Sequence, residues 1–101
     1  MVRTQFEKIL SDFHSVAAFI LAQSGKSQTK IGGILGVTQP AVSQYKNNAR
    51  GWRFVDDSYR EKIGALIETL DENDVCAFRL SLYRLVIDRY EQICRQGDFP
   101  R

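Results

Sequence analysis

The stretch Ser27-Gln-Thr-Lys-Ile-Gly-Gly-Ile-Leu-Gly-Val-Thr-Gln-Pro-Ala-Val-Ser-Gln-Tyr45 decides how this chain reads. It contains two short helical patterns joined by Leu35-Gly36-Val37. Ser27 can cap the first through its hydroxyl, Gly36 is the natural left-handed residue at its end, and Thr38 can cap the second. Pro40 then falls in the first turn of the second pattern, where a missing N–H costs nothing. At 100° per residue, Val42, Tyr45 and Ala49 point to one side of that second helix, which runs from residue 38 to about 49. Gln39, Ser43, Lys46, Asn47 and Arg50 fall on the arc beside it, with Gln44 on their shoulder. One face is built to pack and the other is left to amides, hydroxyls and cations.

The surroundings of this stretch are unusual in charge. Between Asp12 and Asp56 there is no Asp or Glu, while Lys26, Lys30, Lys46, Arg50 and Arg53 all fall inside that window. The overall charge of +2 therefore hides a basic centre between flanks that carry all 12 acids. A polar, acid-free helix beside a tight glycine turn suits a surface that lies against phosphates. Amide side chains match adenine edges, cations match guanine edges and phosphate oxygens, and the expected partner is double-stranded DNA.

The arrangement resembles the helix-turn-helix of phage repressors and their many small bacterial and archaeal relatives, the XRE-type regulators. The likeness covers residues 28–47. It is carried by Gln28 at the first position, the small Gly32, the Leu35-Gly36-Val37 turn, Gln39 early in the second helix, and Val42 and Tyr45 as inward anchors. The resemblance implies that Gln28 touches phosphate and braces the reading helix, and that Gln39, Pro40, Ser43 and Gln44 face bases. Two positions depart from the pattern. Gly33 adds a second helix-weakening glycine, and Pro40 stands where a polar reader is common, so a contact there would be apolar, for example to a thymine methyl. The candidate base contacts are thus Thr38, Gln39, Pro40, Ser43, Gln44 and Asn47, and the candidate phosphate contacts are Gln28, Lys30, Lys46, Arg50 and Arg53.

The remainder of the chain reads as helix on both sides of this unit, which spans residues 27–50. With 101 residues and 44% apolar composition the chain is expected to be one domain, 1–101, with a core that needs no metal or disulfide. From residue 4 or 5 to about 23, Phe6, Ile9, Leu10, Phe13, Val16, Ala17 and Ile20 recur three and four apart. Asp56, Asp57 or Ser58 opens a fourth helix whose Tyr59, Ile63, Leu66, Ile67 and Leu70 share a face. Asp74 caps a last helix over 74–96 that Gly97 closes. No period-2 run of β-branched residues is bounded by turn chemistry, so the expected fold is all-α: five helices with a helix-turn-helix and a long C-terminal helix.

That last helix is apolar around more than half its circumference. Val75, Phe78, Leu82, Leu85, Val86 and Ile93 make one arc, and Cys76, Leu80, Tyr83, Ile87, Tyr90 and Cys94 a second beside it, with Arg79 and Arg89 interrupting. A helix packed in a small domain needs a stripe of ~100° or somewhat more. The surplus suggests a homodimer through Phe78, Leu82, Tyr83, Val86, Ile87 and Tyr90; a monomeric bundle that covers both arcs is the other reading. Cys76 and Cys94 stand five turns apart on one azimuth, about 27 Å along the axis, which rules out an intrachain disulfide in an unbroken helix. Two reduced, half-buried thiols are expected, although antiparallel pairing of two such helices would bring Cys76 near Cys94 of the mate, where a redox or metal role opens.

Other residues are read plainly. His14, the sole histidine, sits on the flank of the first helix's stripe as a boundary residue. Trp52 is expected to pack the linker onto the fourth helix, with the sugar-phosphate edge of DNA as the alternative. Asp71-Glu-Asn-Asp74 makes a turn and a cap rather than a calcium loop, which requires more ligands at alternate positions. The apolar run 16–21 follows Glu7, Lys8 and Asp12 and is too short for a membrane span. A cytoplasmic protein without membrane contact or cofactor is expected. No phosphate loop, catalytic carboxylate pair or nucleophile with its base is evident, so an enzyme is not expected. The expectation is a sequence-specific DNA-binding transcription regulator acting as a homodimer. The alternative is a helical protein-interaction module, antitoxin-like or an adaptor, that grips another protein with its last helix. Neither the operator nor the sign of regulation is written in these residues, and any small effector would have to sit between helices or at the dimer seam.

Overall fold

Side-chain caps mark out α1 (Gln5–Gln23), α2 (Gln28–Leu35), α3 (Gln39–Asn47), α4 (Asp57–Glu68) and α5 (Val75–Gln96) in a computed structural model that describes residues 4–47 and 52–97. Thr4, Ser27, Asp56 and Asp74 each accept a backbone N–H three residues on, opening α1, α2, α4 and α5. Thr38 does the same for α3, its Oγ1 accepting from Ala41 N–H at 3.3 Å. Gly36 and Gly97 end α2 and α5 in the left-handed conformation, at φ 75° and 68°. Among the described residues the chain forms five helices and no strand, and no helix is long and apolar enough to cross a membrane.

The layout is organised around α1, which packs against each of the other four helices. Its buried set is wider than the predicted stripe. Ile9, Phe13, Val16 and Ala17 are joined by His14, Ser15, Ala18 and Leu21, while Phe6, Leu10 and Ile20 are only partly covered. The reason is topological: a helix with neighbours on several sides buries more of its circumference than one stripe. The core is completed by Ile31, Ile34 and Leu35 from α2, Val42 from α3, Tyr59 and Ile63 from α4, and Phe78, Leu82, Val86 and Ile93 from α5.

Phe54 and Val55 also enter the core, from the segment ahead of α4. Phe54 N–H donates to Asp12 Oδ2 at 3.1 Å, and its carbonyl accepts from Arg89 Nε at 2.9 Å. Arg89 also lies 5.7 Å from the centroid of Tyr59. One arginine of the α5 arc therefore ties the segment after the helix-turn-helix to the body. Arg79, the other, donates through Nε to the Ile34 carbonyl at 3.0 Å and through a terminal nitrogen to the Gly33 carbonyl. A cation on the last carbonyls of α2 satisfies orphan acceptors and complements the helix dipole.

Candidate nucleic-acid interface

Gly32 sets how closely α2 and α3 approach. A Cβ there would stand 2.8 Å from the Val37 carbonyl oxygen and 3.7 Å from a Val42 methyl. That same Gly32 carbonyl accepts from Gly36 N–H at 2.8 Å and Val37 N–H at 3.0 Å, closing the turn. Val42, fully buried, and Tyr45, partly buried, then hold the inner face of α3 against the rest of the domain.

The opposite face of α3 is left to solvent. Thr38, Gln39, Pro40, Gln44, Lys46 and Asn47 are exposed, and Ser43 is half-buried at their edge. At 9 residues α3 is about 13 Å long, a rod with one polar side and no part of the described chain lying across it. Of the predicted phosphate contacts outside α3, Gln28 is half-buried in the first turn of α2, and Arg53 is exposed beyond the far end of α3. Arg50, and Ala49, which the sequence places on the packing side, lie outside the described residues.

Lys30 carries a correction to the acid-free reading of the centre. Lys26 and Lys30 each place their ammonium 3.4 Å from a carboxylate oxygen of Glu72, on the turn between α4 and α5. The two lysines hold the Glu72 carboxyl below its usual range, chiefly through the hydrogen bond from Lys30. The basic window is free of acids along the chain and has one folded onto it in space. Linear charge counting could not detect this, because Glu72 is more than 40 residues away from either lysine.

The far end of α3 is held by a relay. Trp52 Nε1–H donates to Ser15 Oγ at 2.9 Å, and Ser15 O–H donates to the Tyr45 carbonyl at 2.6 Å. Trp52 stands edge-on to Phe19 with ring centroids 5.5 Å apart, and Arg60 of α4 lies 5.9 Å from its ring. The linker tryptophan thus meets α4 through Arg60, as predicted, and α1 through Phe19 and Ser15, which the sequence did not signal. Its indole nitrogen is committed to the protein. Ser15 was missed as a site residue; the one sign of it is a serine in the middle of an apolar helical run.

His14 is buried, at 5% exposure, and is not a boundary residue. Its ring lies 5.6 Å from that of Tyr45 on α3 and 6.4 Å from that of Tyr83 on α5. Burial lowers its pKa from 6.5 to about 4, so it is neutral at pH 7.

The residues predicted for a dimer interface divide in two. Phe78, Leu82 and Val86 point into the chain's own core, at 4%, 2% and 0% exposure, and are withdrawn from that role. Tyr83 and Ile87 remain outside at 38% and 52%, joined by Leu80 at 57%, and Tyr90 is half-buried with its ring edge-on to Phe6. Cys76 and Cys94 are exposed rather than half-buried, because the arc of α5 that carries them is turned away from the core. Among the described residues no group of three or more His, Cys, Asp or Glu could hold a metal ion. No family model, curated protein or solved structure matches this chain.

Proposed function

We propose that this chain is a sequence-specific DNA-binding regulator of transcription that lays α3 in the major groove and acts as a homodimer. One observation carries the reading: Val42 and Tyr45 anchor α3 from within while Gln39, Gln44, Lys46 and Asn47 stand exposed together on its other side. A groove about 12 Å wide accepts an α-helix side-on, and amide and cationic side chains are the types that read base edges and phosphates there. Thr38, Gln39, Pro40, Ser43, Gln44 and Asn47 are assigned to bases, and Gln28, Lys30, Lys46, Arg50 and Arg53 to phosphates.

Selection of preferred duplexes from a random pool tests the reading directly, a palindromic consensus being expected from a symmetric dimer. On the selected site, Gln39→Ala and Gln44→Ala should each cost about 1–3 kcal/mol of binding and relax the sequence preference. Lys46→Ala should weaken all duplexes alike and flatten the salt dependence. Unchanged affinity of Gln39→Ala for the selected site would overturn that assignment. The exposed Leu80, Tyr83 and Ile87 also support a second reading, a module that grips a different protein through α5. Binding of a stoichiometric heterologous partner, together with no salt-dependent affinity for duplex DNA, would favour it.

A further inference from the structure

Cys76, Leu80, Tyr83, Ile87, Tyr90 and Cys94 follow one another along α5 at steps of four, three, four, three and four. That is the spacing of a two-stranded helical seam, in which each side chain seats between four of a facing helix. Leu80, Tyr83 and Ile87 are the exposed large hydrophobics of the described chain. They sit at the middle of this row. The row also reads the same from either end, so a second copy running the opposite way presents the same positions at the same heights.

We propose that two copies of this chain pair through α5 in antiparallel orientation, with Cys76 facing Cys94 of its partner, Leu80 facing Tyr90, and Tyr83 facing Ile87 about a two-fold axis. The proposal rests on the homodimer in the functional reading above and adds its register.

Charge favours this register. Arg84 and Glu91 are both exposed and border the seam on the same side. A two-fold axis between antiparallel helices brings like edges together, so Arg84 of one copy and Glu91 of the other lie about 7.5 Å apart along the helix direction. Helical side chains lean toward their own N-terminus. In antiparallel helices Arg84 and the opposing Glu91 therefore lean toward one another, while the two Arg84 side chains lean apart. The pair forms twice, and Arg95, which already bonds Glu91 within the chain, extends each into a three-member cluster. The seam is also mechanically close to α3, since Tyr83 stands against His14, which stands against Tyr45.

The two cysteines give a ruler for the test, which needs no DNA. Treatment of the reduced protein with diamide, which takes up two electrons and two protons for each disulfide formed, should yield a covalent dimer on a non-reducing gel. Peptide mapping should find Cys76 joined to Cys94. Cys76→Ser alone and Cys94→Ser alone should give no covalent dimer, because like cysteines are about 27 Å apart in this register. Mixing the two variants should restore one joined by a single bond. Arg84→Glu should weaken dimerisation in sedimentation about tenfold or more, and the double exchange Arg84→Glu with Glu91→Arg should recover it. Covalent dimers from either single-serine variant, or a wild-type protein that sediments as a monomer at the concentrations used for oxidation, would overturn the proposal. Failure of the groove assignment would appear separately, as an unchanged affinity of Gln39→Ala in the duplex titration.

Discussion

His14 illustrates how one residue acquires a consequence from its neighbours. In the unfolded chain its imidazole titrates near 6.5, and in the fold burial brings the value to about 4. Between those two values the unfolded state binds the proton and the folded state does not, so stability rises with pH through this window. The contribution is fully present above 6.5 and is lost as pH falls toward 4. From pH 7 to pH 5 the loss amounts to about 2 kcal/mol. Urea denaturation at the two pH values measures it, with His14→Phe as the comparison, because a phenyl ring is aromatic but cannot take up a proton. A variant that loses as much stability as wild type over this interval would show that other groups carry the pH dependence. His14 also marks a limit of reading by period, because a histidine on the flank of a stripe was predicted to sit at the boundary. It is covered because α1 has α3 on one side and α5 on the other.

At the level of elements, helix ends and helix order were legible, and contacts between distant elements were not. Ser27, Gly36, Thr38, Asp74 and Gly97 perform the capping their chemistry prescribes, since a cap depends on residues three or four positions away. Gly32 is singled out in the sequence only as the small residue of the motif, and its close approach to the Val37 carbonyl shows in the fold. Arg79, Arg89, Ser15 and Glu72 act on partners at least 30 residues distant, where no periodicity signals the meeting. Two cations interrupting an apolar arc, and a serine inside one, were visible signs without visible partners. Phe54 and Val55 were passed over because they lie in no helical repeat. Of these contacts, the Glu72 turn bears most directly on the proposed DNA binding. Its carboxylate occupies the two lysines nearest the start of α2 in the way a phosphate would, so a duplex must displace it or leave Lys26 and Lys30 unused. Glu72→Gln should therefore tighten binding to all duplexes several-fold and steepen the dependence of affinity on salt, since more cations become available to phosphate. Titrations of wild type and variant across a salt series measure both. Identical slopes would show that these lysines lie outside the contact surface.

For the whole molecule, the proposed function raises the question of how a domain that reads DNA through one short helix gains enough affinity for a particular site. A single half-site offers few base contacts, and joining two reading helices makes the second contact intramolecular, raising the overall affinity without any new kind of interaction. Such a gain requires a rigid spacing between the two copies of α3. The structure offers a candidate for that rigidity: Tyr83, placed at the proposed seam, and Tyr45 of α3 share His14 as a common neighbour, and Trp52 and Ser15 fasten the far end of α3 to α1. A dimer of this kind binds half-sites about one helical turn apart, ~34 Å, on one side of the duplex. Inserting five base pairs between the half-sites of a selected site places the second about half a turn around the helix axis, out of reach. Affinity should then fall to that of a single half-site. Leu80→Glu, on the exposed row of α5, should produce the same fall on the unaltered site while leaving binding to an isolated half-site unchanged. If the five-pair insertion binds as tightly as the original, the two reading helices are not rigidly coupled. If Leu80→Glu weakens the isolated half-site as well, α5 influences α3 within one copy rather than through a second.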